Sequence, residues 1–120
     1  MSTINVETLY SKDGPEDLRV AGPDGEGLTI ASNVANANKF SLCWKPRSSG
    51  MVNLKIVMEQ SVDGVNFFPP KNTFAVEVKD QEWDGSEIHP ISFPYLRFRV
   101  IGDTGNSKNT SIHLYLSKKH

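Results

Sequence analysis

The chain has 120 residues, of which 38% are hydrophobic and 9% aromatic, a composition that suits one globular domain and leaves no room for a second core. Thirteen basic residues stand against fourteen acidic ones, and the formal net charge of -1 draws the chain neither to nucleic acid nor to an anionic membrane. No apolar run approaches the roughly 20 residues that span a bilayer. We therefore expect one domain over residues 1–120, with no nucleic-acid and no membrane partner.

The N-terminal region starts the predicted elements with three weakly patterned strands, over residues 4–9, 18–21 and 28–32. Residues 1–12 could instead form an arm, or a strand exchanged with a neighbouring copy. The first residues lack the basic and apolar stretches of a secretory signal. We therefore expect that the chain is not secreted and that it is assembled in the cytoplasm. The single cysteine, Cys43, agrees with a cytoplasmic location, because one cysteine cannot close the internal disulfide on which small secreted domains often rely.

Strong two-residue alternation follows in five runs, and it predicts strands with one apolar face each. The apolar positions are Phe40, Leu42 and Trp44; Val52, Leu54, Ile56 and Met58; Phe74, Val76 and Val78; Leu96, Phe98 and Val100; and Ile112, Leu114 and Leu116. A weaker strand is predicted over residues 87–93.

Turn-forming residues separate these runs, with Gly, Pro, Asp or Ser clustered at 13–15, 22–25, 48–50, 63–64, 84–85 and 102–106. Eight or nine short strands punctuated in this way predict an all-β, single-domain antiparallel β-sandwich of jelly-roll or Ig-like type. Little or no helix is expected, because no long stretch combines helical period with a cap.

Motifs for catalysis or metal binding are not found in the sequence. His89, His113 and His120 show no i, i+4 spacing on a helix and no zinc spacing with Cys43. The sequence has neither a Gly-x-Ser-x-Gly elbow nor a Cys-His pair in a known setting. We predict no catalytic residue, no cofactor and no metal, although oxygen-rich loops can hold calcium and five carboxylates lie close together: Asp13, Glu16, Asp17, Asp24 and Glu26.

Five residues form the predicted partner-binding set. Arg97 and Arg99 share a strand face, and His113 and Tyr115 are expected on a comparable face of a neighbouring strand. Trp83 lies beside a predicted turn and is expected to be exposed. Arginine and aromatic rings can stack nucleic-acid bases, but the nearly neutral chain favours a protein interface, where Arg and Tyr are enriched. The alternative is that the two arginines are simply solvated.

Two stretches resemble a known family. Residues 59–67, Glu-Gln-Ser-Val-Asp-Gly-Val-Asn-Phe, are similar to the Ser-x-Asp-Gly-x-Asn-Phe hairpin of small β-sandwich proteins in tailed-phage virions. Residues 94–100, Pro-Tyr-Leu-Arg-Phe-Arg-Val, look like the penultimate strand of those proteins, Pro-Tyr-hydrophobic-Arg-x-x-hydrophobic. The resemblance covers residues 50–116, just over half of the chain, and leaves the first forty residues unmatched.

This resemblance implies a non-enzymatic virion structural protein, first of all a capsid decoration or cement protein that binds and stabilises the major capsid shell. The major capsid protein or other virion proteins would be its partners, and a homo-oligomer, with a trimer possible, is expected on a symmetric shell. A head–tail or tail component is the alternative within the virion. The alternative from another class is a carbohydrate-binding sandwich, which would use exposed aromatic rings from Trp83, Tyr95, Phe67 and Phe68.

Overall fold

The computed structural model describes residues 3–14, 16–88, 93–107 and 109–120, and these residues form ten strands and no helix. Ten strands exceed the eight or nine that the sequence predicted. No helix in this part of the chain could cross a membrane. The strands are β1 (Ile4–Thr8), β2 (Leu18–Val20), β3 (Glu26–Leu28), β4 (Ser32–Asn33), β5 (Lys39–Ser48), β6 (Leu54–Ser61), β7 (Ala75–Val78), β8 (Asp84–Ile88), β9 (Tyr95–Gly102) and β10 (Thr110–Lys119).

The strands build two antiparallel sheets, which confirms the predicted sandwich. Sheet A has the order β1-β10-β5-β8, with β2 pairing the opposite end of β10 from β1. Sheet B has the order β3-β9-β6-β7, with β4 pairing the opposite end of β9 from β3. The chain crosses repeatedly from one sheet to the other, and each sheet has one edge position filled by two short strands. This is the order of a jelly roll, one of the two predicted types.

The core lies between the sheets and consists of the predicted apolar faces. All the positions of the five strong runs are buried except Phe74 and Val76, which are half-buried against the core. Fully burying each such side chain contributes about 1.5–3 kcal/mol to folding before chain entropy is counted. The alternating residues of the same strands form the outer faces of the two sheets.

The weak strand predicted over residues 28–32 is interrupted in the structure. β3 ends at Leu28, and β4 begins at Ser32. Between them the N–H of Ile30 donates to the carbonyl of Tyr10, which continues the chain of β1 across the corner of the sandwich. Thr29 still donates to the carbonyl of Phe98 in β9, whereas Ile30 bonds to Tyr10, so one predicted strand becomes two.

The turn predicted at residues 84–85 is wrong. Asp84 and Gly85 begin β8 and pair with Trp44 and Cys43 of β5. A Cβ atom at Gly85 would lie 3.1 Å from the carbonyl oxygen of Leu42, so this glycine permits a close approach of two strands. The strand predicted over 87–93 therefore starts earlier, and its residues 89–92 lie outside the described part of the chain.

The N-terminal segment is part of the sandwich. β1 pairs with β10 of the same chain over its whole length, from Ile4 opposite Lys119 to Thr8 opposite Tyr115. Exchange of residues 1–12 with a neighbouring copy stays a prediction.

Candidate functional site

The five predicted partner-binding residues lie on opposite sides of the sandwich. Arg97 and Arg99 are on β9 in sheet B, whereas His113 and Tyr115 are on β10 in sheet A. All four alternate with buried residues of their strands, so they lie on outer faces. Trp83 precedes β8 on the sheet A side. The prediction that the arginines and His113 share neighbouring strands is wrong, and two separate surfaces result.

The first surface, the arginine cluster, consists of Arg97, Arg99, Glu59, Glu26 and Phe67. Register places Glu59 of β6 directly opposite Arg97 of β9. Glu59 Oε1 accepts a hydrogen bond of 2.7 Å from Arg97 Nε, and its Oε2 accepts one of 3.1 Å from Arg99 Nε. Arg99 Nη1 also donates to Glu26 at 2.7 Å. One carboxylate thus holds both arginines side by side on the sheet.

The charges of the arginine cluster are compensated within the chain. Burial disfavours the charged form of Arg99, but hydrogen bonds and attraction from Glu59 and then Glu26 outweigh it and raise the pKa of the guanidinium. The guanidinium of Arg97 lies 4.2 Å from the ring centroid of Phe67, within the range of a cation–π contact. This surface therefore packs against the hairpin that carries Phe67, and its arginines already have acidic partners.

The hairpin after β6 is fixed by Asp63. Its carboxylate accepts hydrogen bonds from the backbone N–H groups of Asn66 and Val65, from the amide of Asn66 and from the hydroxyl of Ser61, at 2.8 to 2.9 Å. These hydrogen bonds hold the pKa of Asp63 well below its ordinary value. Gly64 has a φ of 78°, a left-handed conformation that suits glycine. The carboxylate of Asp63 thus satisfies donors from Ser61, Val65 and Asn66 within the turn itself.

The second surface, the aromatic patch, consists of Trp83, Tyr115 and Lys45 on sheet A. The Trp83 side chain is 53% exposed, its ring centroid lies 5.7 Å from that of Tyr115, and Lys45 Nζ lies 5.6 Å from it. Beside the patch, His113 Nδ1 is 3.1 Å from Asp17 Oδ1. A large exposed ring with a neighbouring phenol and ammonium group can bury apolar area and hydrogen-bond in one contact.

Cys43 lies beneath this surface and is half-buried, opposite Tyr115 in the register of β5 and β10. Burial, and next the negative charge of Asp84, raise the pKa of its thiol. A thiol held protonated at neutral pH is a poor nucleophile, so packing is the role that the geometry supports for Cys43.

The acidic loops line an open cleft of about 590 Å³ at one end of the sandwich. Asp13, Glu16 and Asp17 share it with basic Lys12 and Arg19. Over the described ranges, no three His, Cys, Asp or Glu side chains come close enough to hold a metal ion.

Of the two remaining histidines, only His120 lies in the described part of the chain. His120 Nδ1 lies 3.0 Å from the carbonyl oxygen of Asn36. His89 lies outside the described residues.

Three charged members of these surfaces were not among the predicted partner-binding residues. Glu59 and Glu26 belong to the arginine cluster, and Lys45 belongs to the aromatic patch. The signal for Glu59 is a cross-strand pair of opposite charges with Arg97, 38 positions away, and it becomes visible only once β6 and β9 are placed in register. Lys45 is found in the same way, because it lies opposite His113.

Comparison with known proteins finds similar structures but no similar sequences. No protein-family model and no curated protein matches this sequence. The structure is similar to that of the PBSX exported protein XepA, with a TM-score of 0.61 and 14% identity over 95% of this chain and 36% of that one. It is also similar to a structure from Bacillus endospore appendages, described as a novel family of disulfide-linked pili, with a TM-score of 0.54 and 12% identity over 98% of this chain and 88% of that one.

A carbohydrate-binding domain, CBM36-1 of a multidomain xylanase from the hindgut metagenome of Trinervitermes trinervoides, has a TM-score of 0.47 and 10% identity over 98% of this chain and 96% of that one. This chain spans little more than a third of XepA, 36% of its length. At such identities the likenesses to XepA and to the endospore-appendage structure show a shared fold and nothing more.

Proposed function

We propose that this chain is a non-enzymatic structural protein of a tailed bacterial virus and that it binds the capsid shell as a decoration or cement protein. The observation that carries the proposal is that the two stretches resembling virion proteins meet in the fold. Ser61 pairs with Tyr95, a Cβ atom at Gly64 would contact the Tyr95 ring at 3.4 Å, and Arg97 covers Phe67. The resemblance thus falls on one contiguous unit.

The aromatic patch is the surface we assign to the capsid contact. Trp83 and Tyr115 belong to the residue types that anchor protein interfaces, and Lys45 adds a positive charge that a capsid carboxylate could meet. Binding to the assembled shell and not to free subunits stabilises the shell by mass action, by about 2.7 kcal/mol per site at a hundredfold excess over Kd. No catalytic step is needed for this role.

The arginine cluster has a supporting role in this proposal. Since Glu59 and Glu26 already neutralise Arg97 and Arg99, the cluster stiffens sheet B and its hairpin. A rigid body binds with less ordering cost than a mobile one. The endospore-appendage structure of similar fold is described as forming pili, so a sandwich of this kind can serve in an assembly.

The test is saturable binding to purified shells of the virus that encodes the chain. Wild-type protein should co-sediment with shells at a fixed ratio to the major capsid protein. Trp83→Ala should weaken binding about 30-fold, the equivalent of roughly 2 kcal/mol for an anchor residue. Val65→Ala is the matched control, because Val65 is 78% exposed on a distant hairpin and should bind normally. Absence of wild-type binding contradicts the proposal.

A place in the head–tail junction or the tail is the alternative within the virion. It predicts a few copies per particle at one vertex, and no binding to shells that lack that vertex. Self-association is proposed for both positions, since virion components are arranged with symmetry.

A carbohydrate-binding module is the second candidate, favoured by one observation: the half-exposed Trp83 ring beside Tyr115 can stack on a sugar. Tyr95 and Phe67 are half-buried within the hairpin unit, and Phe68 packs edge-on against Phe93 at 5.2 Å. A glycan array in which wild-type protein binds and Trp83→Ala does not would support this candidate. An array without binding rejects it.

A further inference from the structure

Strand β1 leaves an open edge on sheet A. Among the described strands it pairs only with β10. At its ends, Thr3 accepts a hydrogen bond from the N–H of His120, and the N–H of Leu9 donates to Leu114. Hydrogen-bonded positions alternate along an antiparallel pair, so the odd-numbered residues of β1 bond to β10. The N–H and C=O groups of residues 4, 6 and 8 therefore point to the open edge.

The side chains on this edge are apolar and exposed. Ile4 is 62% exposed and Val6 64%, and register places both on the outer face of sheet A, opposite Lys119 and Ser117. Natural edge strands are usually guarded by charge, proline, bulges or shortness. From Ile4 to Val6 the sequence Ile-Asn-Val has neither charge nor proline, and the one charged residue of β1, Glu7, is paired with Lys118 of its own chain.

The other open edges are guarded. The edge of β8 carries Asp84 and Glu87, which are charged side chains of the kind that guard natural edges. β7 has four residues and carries Glu77. On the far side of sheet B, β3 and β4 have three and two residues and are separated by the contact between Ile30 and Tyr10. β1 is thus the edge best suited to pairing with another strand.

We propose that two copies of this chain associate by antiparallel pairing of their β1 strands about a twofold axis at Asn5. In this register Ile4 lies opposite Val6 of the second copy, and each of these two pairs exchanges both N–H···O bonds because their groups point outward. Asn5 faces Asn5 in a non-hydrogen-bonded pair. The apolar side chains of Ile4 and Val6 meet on one face, as cross-strand pairs that stabilise sheets do.

Charge does not oppose this pairing. The twofold register places Glu7 opposite Thr3 of the second copy, so no like charges face each other. Glu7 is also neutralised within its own chain, because Lys118 Nζ lies 2.9 Å from its Oε2 and Ser32 donates a hydrogen bond to the same oxygen. Sheet A would become continuous across both copies, an isologous interface of the commonest symmetry.

The interface is small, so the dimer should be weak and should form with rising concentration. This inference deepens the proposed self-association and selects a dimer in preference to a trimer. Its test uses the isolated chain without shells. If the isolated chain does not dimerise, the proposal that it binds shells is unaffected. If the chain does not bind shells, the proposed dimer is unaffected.

Sedimentation velocity from about 1 μM to about 1 mM is the first measurement. Wild-type protein should shift from monomer to dimer. Val6→Pro removes only an outward N–H, a position where an edge strand tolerates proline, and should remain monomeric. Val6→Lys should remain monomeric too, and it keeps the test valid if the proline variant does not fold. Val65→Lys, the same change on the distant hairpin, should dimerise like the wild type.

Cross-linking tests the register. In a Cys43→Ser background, Asn5→Cys should form a disulfide-linked dimer on mild oxidation, because facing Cα atoms of a non-hydrogen-bonded pair lie about 4.5 Å apart. Thr8→Cys should not, since the two Thr8 residues would lie about 20 Å apart. A wild-type monomer at every concentration, a trimer, a dimer that survives both Val6 variants, or equal cross-linking at both sites overturns the inference.

Discussion

Removing the carboxylate of Glu59 should destabilise the fold more than any change of a surface ion pair. Its side chain is 7% exposed and holds Arg97 and Arg99, whose side chains are 21% and 29% exposed. In Glu59→Ala both guanidinium groups lose their shared partner, and Glu26 remains to compensate only Arg99. Arg97 is then left as a partly buried charge packed on Phe67.

The magnitude follows from burial. Breaking a buried ion pair by removing one partner costs about 3–5 kcal/mol. Both arginines reach solvent and can partly rehydrate, so we expect a loss of about 2–3 kcal/mol in the free energy of unfolding. For a domain of this size that corresponds to a fall in melting temperature of about 6–15 °C.

Urea and thermal unfolding followed by circular dichroism measure this effect. The matched control is Glu77→Ala, because the ion pair of Glu77 with Lys79 spans 3.9 Å with both side chains about two-thirds exposed, at 65% and 66%. The control should change stability by less than about 0.5 kcal/mol. If Glu59→Ala is no more destabilising than Glu77→Ala, the reasoning about the arginine cluster is refuted.

Three further changes test the hairpin and the core. Asp63→Ala should lower the melting temperature at pH 7. The difference in melting temperature between variant and wild type should narrow as the pH falls below 3.8, because the unfolded wild-type carboxylate becomes protonated there, whereas the folded one is protonated only as the pH approaches its depressed pKa. Gly64→Ala, at a φ of 78°, should cost about 1–2 kcal/mol in urea unfolding. Gln60 is 2% exposed and its Nε2 has no hydrogen-bond partner among the described residues, so Gln60→Met should raise stability by about 1 kcal/mol.

The local part of the fold could be predicted because it depends on alternation along the chain. The alternation of apolar and polar residues from Leu54 to Met58, for example, identifies a strand and its buried face without knowledge of the strands that pair with it. Gly85 shows where local reasoning fails. The Asp84-Gly85 dipeptide is typical of a turn, but here it lies inside a strand, where a Cβ atom at Gly85 would come within 3.1 Å of the carbonyl oxygen of Leu42.

The candidate site depended on pairing between distant strands, which one sequence does not contain. Arg97 and His113 are separated by a single turn in sequence, yet their strands belong to different sheets. Their outward positions could be predicted from alternation, whereas their separation could not. Glu59 was missed for the same reason, since its partners are defined by register and not by neighbouring residues.

The central claim is that this sandwich is built into a virus particle. Quantitative mass spectrometry of purified particles, combined with a cryo-EM map of the same preparation, tests it most directly. The proposal predicts the chain in a fixed ratio to the major capsid protein and density for a two-sheet domain on the shell, with the Trp83 side of sheet A facing the capsid. Particles that lack the chain contradict the claim.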